Sequence, residues 1–435
     1  MNQLLTKHFL VLILFLTGMF SSAQNFEQKR IPLEGDASLD MLISTAADKK
    51  LVLLGEGSHG THEYYLWRDK ISRRLISEQD FNFIAVEGDF ASLYHLNRYV
   101  KNMDGAANSA RDILSKLEKW PTWMWSNEEV VALAEWLRSH NDNLPQDEKV
   151  GFYGMDVYDE WKSKKVVLDL LKATDRTSYR YAKKQYRCFN PHKGDSWRYA
   201  NAVQAGKEDC STATKNVVEY IRNNRDTFSD LSDDTYFYLL QNTMVVHNAE
   251  EFYRESVASR GEVSWNSRAN HMHETVNDLL KLYGENSKGI VWAHNTHIGD
   301  AKYTNMRNAG EHNIGQLVRS KLGYDNVFLI GFATYEGEVM AGSSWDAPMQ
   351  KMTIPPAIPN SIEYKLNQFD EDSFYLVFDE EDRKDKDIKV LGNRAVGVVY
   401  NPNQDERQFV PTIIPLRYDA LFFFKKTTAL QVIAK

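Results

Sequence analysis

The sequence is short of cysteine: Cys188 and Cys210 are the only two in 435 residues. Neither has the neighbours that activate a thiol, so a cysteine nucleophile is not expected. Both lie in one short polar and aromatic stretch. In an oxidising compartment such a pair is expected to close one disulfide around a surface loop, the alternative being two free thiols. Positive charge is also outnumbered, with 52 Lys and Arg against 60 Asp and Glu and a formal net charge of −8. Phosphate binding needs clustered Lys and Arg, and no stretch resembles a basic arm or recognition helix, so no nucleic-acid partner is expected.

Familiar catalytic motifs are missing too. A Gly-x-Ser-x-Gly elbow is absent, because Glu56 stands two residues before Ser58 and Asp346 two after Ser344. That disfavours the usual serine-hydrolase route. There is no phosphate loop ending Gly-Lys-Ser/Thr and no dinucleotide fingerprint. His62-Glu63 and His273-Glu274 each lack the second histidine of a zincin motif, so nucleotide and zincin chemistry are unsupported. No internal repeat occurs. The one long apolar run, Phe9 to Leu16, follows Lys7 and precedes Ser21-Ser22-Ala23. It is shorter than the ~20 residues of a spanning helix and reads as a signal peptide, residues 1–23, rather than an uncleaved anchor. The expected location is periplasmic or secreted, with no stable membrane anchor after cleavage.

What remains, at 43% hydrophobic and 26% charged, is a globular chain over 24–435. Short runs that are apolar on both faces alternate with amphipathic stretches. This predicts an α/β fold, a central mostly parallel sheet flanked by helices. Strands are expected at Leu51–Leu54, Phe83–Val86, Gly151–Gly154, Ile290–Ala293, Val327–Ile330, Phe374–Val377, Val396–Val399 and Leu421–Phe424. A helix is predicted from about Thr61 to Glu78, and another from Ser264 to Tyr283 on which Arg268, Met272 and Thr275 share a face. From about 161 to 283 no strand is predicted, which implies a helical insertion covering the carboxyl edge of the sheet. Trp345 to Ile362, with four prolines, reads as a long loop at the rim of a site, and Asp379 to Lys389 as a solvated charge run.

Chemistry collects after the strands. The first runs into Gly55-Glu56-Gly57-Ser58-His59-Gly60, the second into Glu87-Gly88-Asp89, the third into Asp156 and the fourth into His294-Asn295-Thr296-His297. Ligands of open parallel sheets sit at these carboxyl ends, so the convergence points to an active site. A neutral imidazole near its ordinary pKa of ~6.5 can take a proton from water while a carboxylate holds its tautomer. His59 with Glu87 or Glu56 fits those roles. Arg68 or the histidines of the fourth strand are available to stabilise an oxyanion; for Arg68 the bland alternative is a surface ion pair with Asp69 or Glu63.

At these residues the chain resembles the erythromycin-esterase family. The likeness runs from about Ile31 to Phe424. It rests on the Gly55–Gly60 segment, Arg68, Val86-Glu87-Gly88, Arg268 and Met272, Trp292 to His297, and Tyr418-Asp419-Ala420-Leu421. The resemblance implies metal-independent hydrolysis, without a cofactor, of a small-molecule carboxylic ester or macrocyclic lactone. It also implies that His59 is the general base, with Glu56, Arg68, Glu87, His294 and His297 around it. Asp156, Arg268, Met272, Trp123 and Trp125 are the candidates for substrate contact. Two other readings stay open. His59, His294, His297 and Glu87 have the ligand types of a metallohydrolase, and the aromatic residues suit a non-catalytic binding cleft.

Overall fold

The computed structural model describes residues 26, 28–258 and 261–433. The signal peptide expected at 1–23 lies outside the described residues. In chain order the strands are β1 (Ile31–Pro32), β2 (Leu51–Leu54), β3 (Phe83–Asp89), β4 (Gly151–Asp156), β5 (Gly289–Trp292) and β6 (Val327–Gly342). They continue with β7 (Met349–Ile354), β8 (Ser373–Val377), β9 (Leu391–Arg394), β10 (Phe409–Thr412) and β11 (Ala420–Thr427). Nine of them form one sheet in the order β1-β8-β11-β6-β2-β5-β3-β4, with β7 against β6. From β11 to β4 every neighbouring pair along that path is parallel. β8, β1 and β7 add antiparallel edges, and β9 with β10 makes a separate ribbon.

The apolar runs form strands because both of their faces are covered. Val52, Leu54, Ile84, Val86 and Ile290 enter the core on one side of the sheet, while Leu51, Leu53, Phe83, Ala85 and Val291 enter the core on the other. Burial of each of these Val, Leu, Ile and Phe side chains contributes about 1.5–3 kcal/mol. Helix α1 (His62–Gln79) presents Tyr64, Trp67, Ile71 and Leu75 to the first of these cores, as their spacing predicts, and ends at Asp80 in the left-handed conformation. Between β4 and β5 the described chain is helical. Its last two helices are α2 (Asp233–Ala258) and α3 (Glu262–Leu282). α3 packs Met272, Val276, Leu279 and Leu280 onto the second core.

Three local expectations are corrected. Val396–Val399 is not a strand but a loop tied down by single bridges: Val396 N donates to Gly57 O, and Gly342 N donates to Val398 O. Within Trp345–Ile362 lies β7, which pairs with the far end of β6 and turns only Met352 and Ile354 inward. Pro348 and Pro355 sit just outside that strand, where a missing N–H costs the ladder nothing. In the charge run, Glu380–Lys384 is a short helix with a capping box from Asp379, and Asp382 is buried against Lys29 at 2.7 Å.

Cys188 and Cys210 are joined in a disulfide, with Cα atoms 5.7 Å apart, 22 residues apart in sequence. Closing a loop of that length in the unfolded chain is worth about 3 kcal/mol. Reduction is therefore expected to lower the thermal midpoint and to add two hydrogens to the intact mass. An unchanged mass after reduction would contradict the pairing.

Candidate active site

The four strand ends that carry the chemistry are neighbours in the sheet, because β5 inserts between β2 and β3 to give β2-β5-β3-β4. The loop after β2 is pressed against its surroundings. Gly55 N donates to Ile330 O, and Asn295 N donates to Glu56 O at 2.9 Å. Gly60 O accepts from both Met340 N and Leu430 N. A Cβ on Gly60 would fall 2.0 Å from Met340 O, so only glycine allows that approach.

Within this loop Glu56 is buried and used on both oxygens. One bonds Nδ1 of His59 at 3.0 Å and the other accepts from Nη2 of Arg68 at 3.0 Å. Arg68 is no surface cation. It is fully buried, stacked over Tyr65 at 4.1 Å and Trp292 at 4.7 Å, and it leans back toward the start of α1 to reach Glu56. It does not border the cleft, so its place is beneath the site, where it balances the Glu56 charge and fixes its orientation. Between the two carboxylates left open by the sequence, it is Glu56 that touches His59.

Glu87 stands on the other side. Its Oε1 accepts from Nη2 of Arg268 at 2.8 Å and lies 3.2 Å from Nε2 of His297. Its Oε2 accepts from His294 N at 2.8 Å. Arg268, on α3, also grips Asp156 at the end of β4 with two bonds of 2.8 and 2.6 Å. One guanidinium thus links the ends of β3 and β4 to the helical cover. Burial by itself would raise the Glu87 carboxyl, but His297, His59 and Arg268 outweigh it and hold it well below the usual carboxylate range. Glu87 therefore stays ionised.

The histidines respond in opposite senses. His59 is buried, which lowers its pKa, yet the charge of Glu87 and the bond from Glu56 raise it above the ordinary value. His294 is pushed well below its ordinary value by burial and then by His59, whose ring lies 4.7 Å from its own. Nδ1 of His294 accepts from Thr296 N at 3.3 Å, an N-cap geometry. Neutral His294 therefore carries its proton on Nε2, an atom buried with no hydrogen-bond partner. In His59 the carboxylate at Nδ1 fixes the opposite tautomer, leaving the Nε2 lone pair free. His297 stacks on Trp265 at 4.6 Å.

These groups open onto a cleft of about 690 Å³. His59, Glu87, Asp156, Arg268, His294 and His297 all line it, as does Trp125, whose Nε1 donates to Glu87 O at 3.2 Å. Two expected substrate contacts lie elsewhere. Trp123 turns inward against Trp120 and is 1% exposed, while Met272, one turn beyond Arg268 on α3, is fully in the core. The wall also holds residues not predicted from the sequence. Trp120, Tyr158, Trp197, Tyr253, Trp265 and Trp345 make it strongly aromatic. Trp265 was findable, being three residues before Arg268 on the same helical face. Asp89 faces the cleft 3.6 Å from Lys119, and burial pushes its carboxyl up to about 6. Among the described residues no group of three His, Cys, Asp or Glu is placed to hold a metal ion together.

The model of a family described as Erythromycin esterase matches residues 76–427, most of the chain. The chain belongs to the erythromycin esterase family. Membership supports a hydrolase of the esterase kind. The match starts beyond the Gly55–Gly60 loop, so the place of His59 rests on geometry rather than on the matched span. Solved structures agree in fold. A protein from Bacillus cereus superimposes with a TM-score of 0.77 at 21% identity, covering 95% of this chain and 98% of its own. A succinoglycan biosynthesis protein gives 0.76 at 19% identity, covering 94% and 98%. A histidine-to-asparagine mutant of erythromycin esterase EreC, in its open conformation, gives 0.66 at 15% identity over 93% and 98%. At such identities the likeness of this erythromycin-esterase family member to them is one of architecture.

Proposed function

We propose that the protein is an exported hydrolase that cleaves a small-molecule carboxylic ester or macrocyclic lactone by direct attack of water, with His59 as general base. The observation that carries this reading is the His59 ring itself. Nδ1 is held by Glu56, the ring lines the cleft, and Nε2 makes no protein hydrogen bond among the described residues. Water donating to Nε2 loses its proton there as its oxygen bonds the carbonyl carbon. Glu56 and the charge of Glu87 stabilise the imidazolium that forms. The carbonyl oxygen, now an oxyanion, accepts from Nε2–H of His294, a neutral donor of low proton affinity that is buried in the free protein and that the bound substrate must uncover. Collapse breaks the acyl carbon–oxygen bond, and the proton on His59 passes to the leaving alkoxide.

Arg268 orients Glu87 and Asp156 through its hydrogen bonds to both, and its charge helps to hold Glu87 ionised. The aromatic walls suit a largely apolar substrate that spans the cleft. Residues 1–23 supply the export signal, giving a periplasmic or secreted enzyme.

The test is a hydrolysis screen of aryl esters, simple lactones and macrolides with purified protein, before and after exhaustive chelation. Turnover of at least one class at a rate that chelation leaves unchanged is expected. Activity lost on chelation and restored by metal would favour a metallohydrolase, and tight binding without turnover across the panel a binding protein.

A further inference from the structure

The whole-chain charge of −8 conceals a local surplus of the other sign, which corrects the expectation that no stretch of the chain clusters Lys and Arg. Residues 161–207 hold twelve Lys and Arg against three Asp, a net +9 that leaves −17 for the rest of the chain. The surplus is ordered rather than scattered. On the helix Arg176–Gln185, Arg176, Arg180, Lys183 and Lys184 stand at i, i+4, i+7 and i+8, and Arg187 follows at i+11 in the next turn. That spacing puts all five on one stripe, and all five are exposed. The opposite face, Ser178, Ala182 and Tyr186, is buried.

Nearby carboxylates do not neutralise the stripe. Asp169 is 2.7 Å from Lys165, Glu219 is 3.7 Å from Lys215, and Asp175 caps its own helix by accepting from Ser178 N. No ion pair to any of the five cations occurs among the described residues. The disulfide from Cys188, next to Arg187, ties the end of the stripe to the start of the helix Ser211–Asn223.

We propose that this stripe docks the protein on a bilayer surface rich in anionic phospholipid. Cations set in a row on a helix do not converge on a single phosphate, but they match a plane of many. The aromatic residues among them are not free to stack on bases: Tyr181 lies flat on Tyr220 at 4.3 Å, and Lys183 lies over Tyr179 at 5.4 Å. That disfavours a single-stranded nucleic acid, which takes much of its binding from stacking. The strongly negative remainder of the chain would repel a long polyanion that ran past the stripe. A membrane surface can meet the stripe alone, since charges farther away are screened within about 8 Å. Attraction of this kind is additive over Lys and Arg and is lost in salt. The docking is independent of the hydrolytic reading, because none of the five residues borders the cleft.

Co-sedimentation of the full chain with vesicles tests it. Phosphatidylglycerol-containing vesicles should bind the protein at low salt and release it at high salt, and neutral phosphatidylcholine vesicles should not bind it. The quadruple change Arg176→Glu, Arg180→Glu, Lys183→Glu, Lys184→Glu should weaken binding by at least about a hundredfold. The thermal midpoint and hydrolysis of a soluble substrate should stay as in the wild type. Should that variant unfold, the corresponding four changes to Gln should still weaken binding in the same sense. Equal binding to neutral vesicles, no binding at low salt, or binding that survives the substitutions would overturn the proposal. So would capture of heparin or DNA in place of vesicles.

Discussion

Replacing His59 by alanine is expected to lower kcat about 10²–10⁴-fold on any ester the protein hydrolyses, with the fold intact. At 1.36 kcal/mol per decade that is about 3–5 kcal/mol of transition-state stabilisation. The loss is catalytic because no other imidazole in the cleft has a free lone pair, and the remaining candidate base, the Asp89 carboxylate, lies against Lys119. Nδ1 of His294 is occupied by Thr296, its Nε2 carries the proton, and Nε2 of His297 lies between Glu87 and Arg268. Stability should suffer little. His59 makes one side-chain bond, to Glu56, and Glu56 keeps Arg68 as its partner when the imidazole goes. Circular dichroism and the thermal midpoint check the fold, and steady-state kinetics the rate. A folded variant with wild-type kcat would remove His59 from the chemistry.

Arg268→Met is expected to act on stability as much as on rate. The guanidinium is the shared partner of Glu87 and Asp156, which are 5% and 4% exposed at the side chain. Removing one member of a buried ion pair costs about 3–5 kcal/mol, because the remaining charge keeps its desolvation and loses its compensation. The pH dependence has a definite sign. Glu87 has a folded-state pKa below its unfolded value, so its contribution is present above the unfolded value and is lost as pH falls through the folded one. Without Arg268 that depression is smaller, and the deficit against wild type is greatest at neutral pH and narrows in acid. Arg268→Lys restores charge but not the two-pronged grip on Asp156, so it should recover only part of the loss. Urea unfolding across pH measures this, and equal stability of wild type and Arg268→Met at neutral pH would contradict it.

Much of the site was legible because its signals are local. A run such as Leu51–Leu54 can be buried on both faces only as an inner strand, and the Gly, Glu and His after it must then lie at a sheet edge. The spatial order was not legible. Nothing in the sequence says that β5 slips between β2 and β3, and it is that placement which brings His294 beside His59. Pairing at short range was ambiguous for a related reason: both Glu56 and Glu87 follow strands, and only the turn of the Gly55–Gly60 loop decides which carboxylate meets the imidazole. Met272 shows the limit of face-sharing on a helix, since one turn beyond Arg268 carries the same face from cleft to core. Val396–Val399 has the composition of a strand but pairs at single residues only, Val396 with Ser58 in the loop after β2 and Val399 with Gly342, where β6 ends.

The central claim is that neutral His59 takes the proton from water, and the pH profile of kcat/KM tests it most directly, since that ratio reports the free enzyme. For the wild type, kcat/KM should rise with pH through a single titration whose midpoint lies above 6.5, the ordinary histidine value, because Glu87 and Glu56 favour the imidazolium. The residual activity of His59→Ala should lack that limb. A wild-type profile that falls with pH over the same range, or a His59→Ala profile that keeps the limb unchanged, would contradict the account.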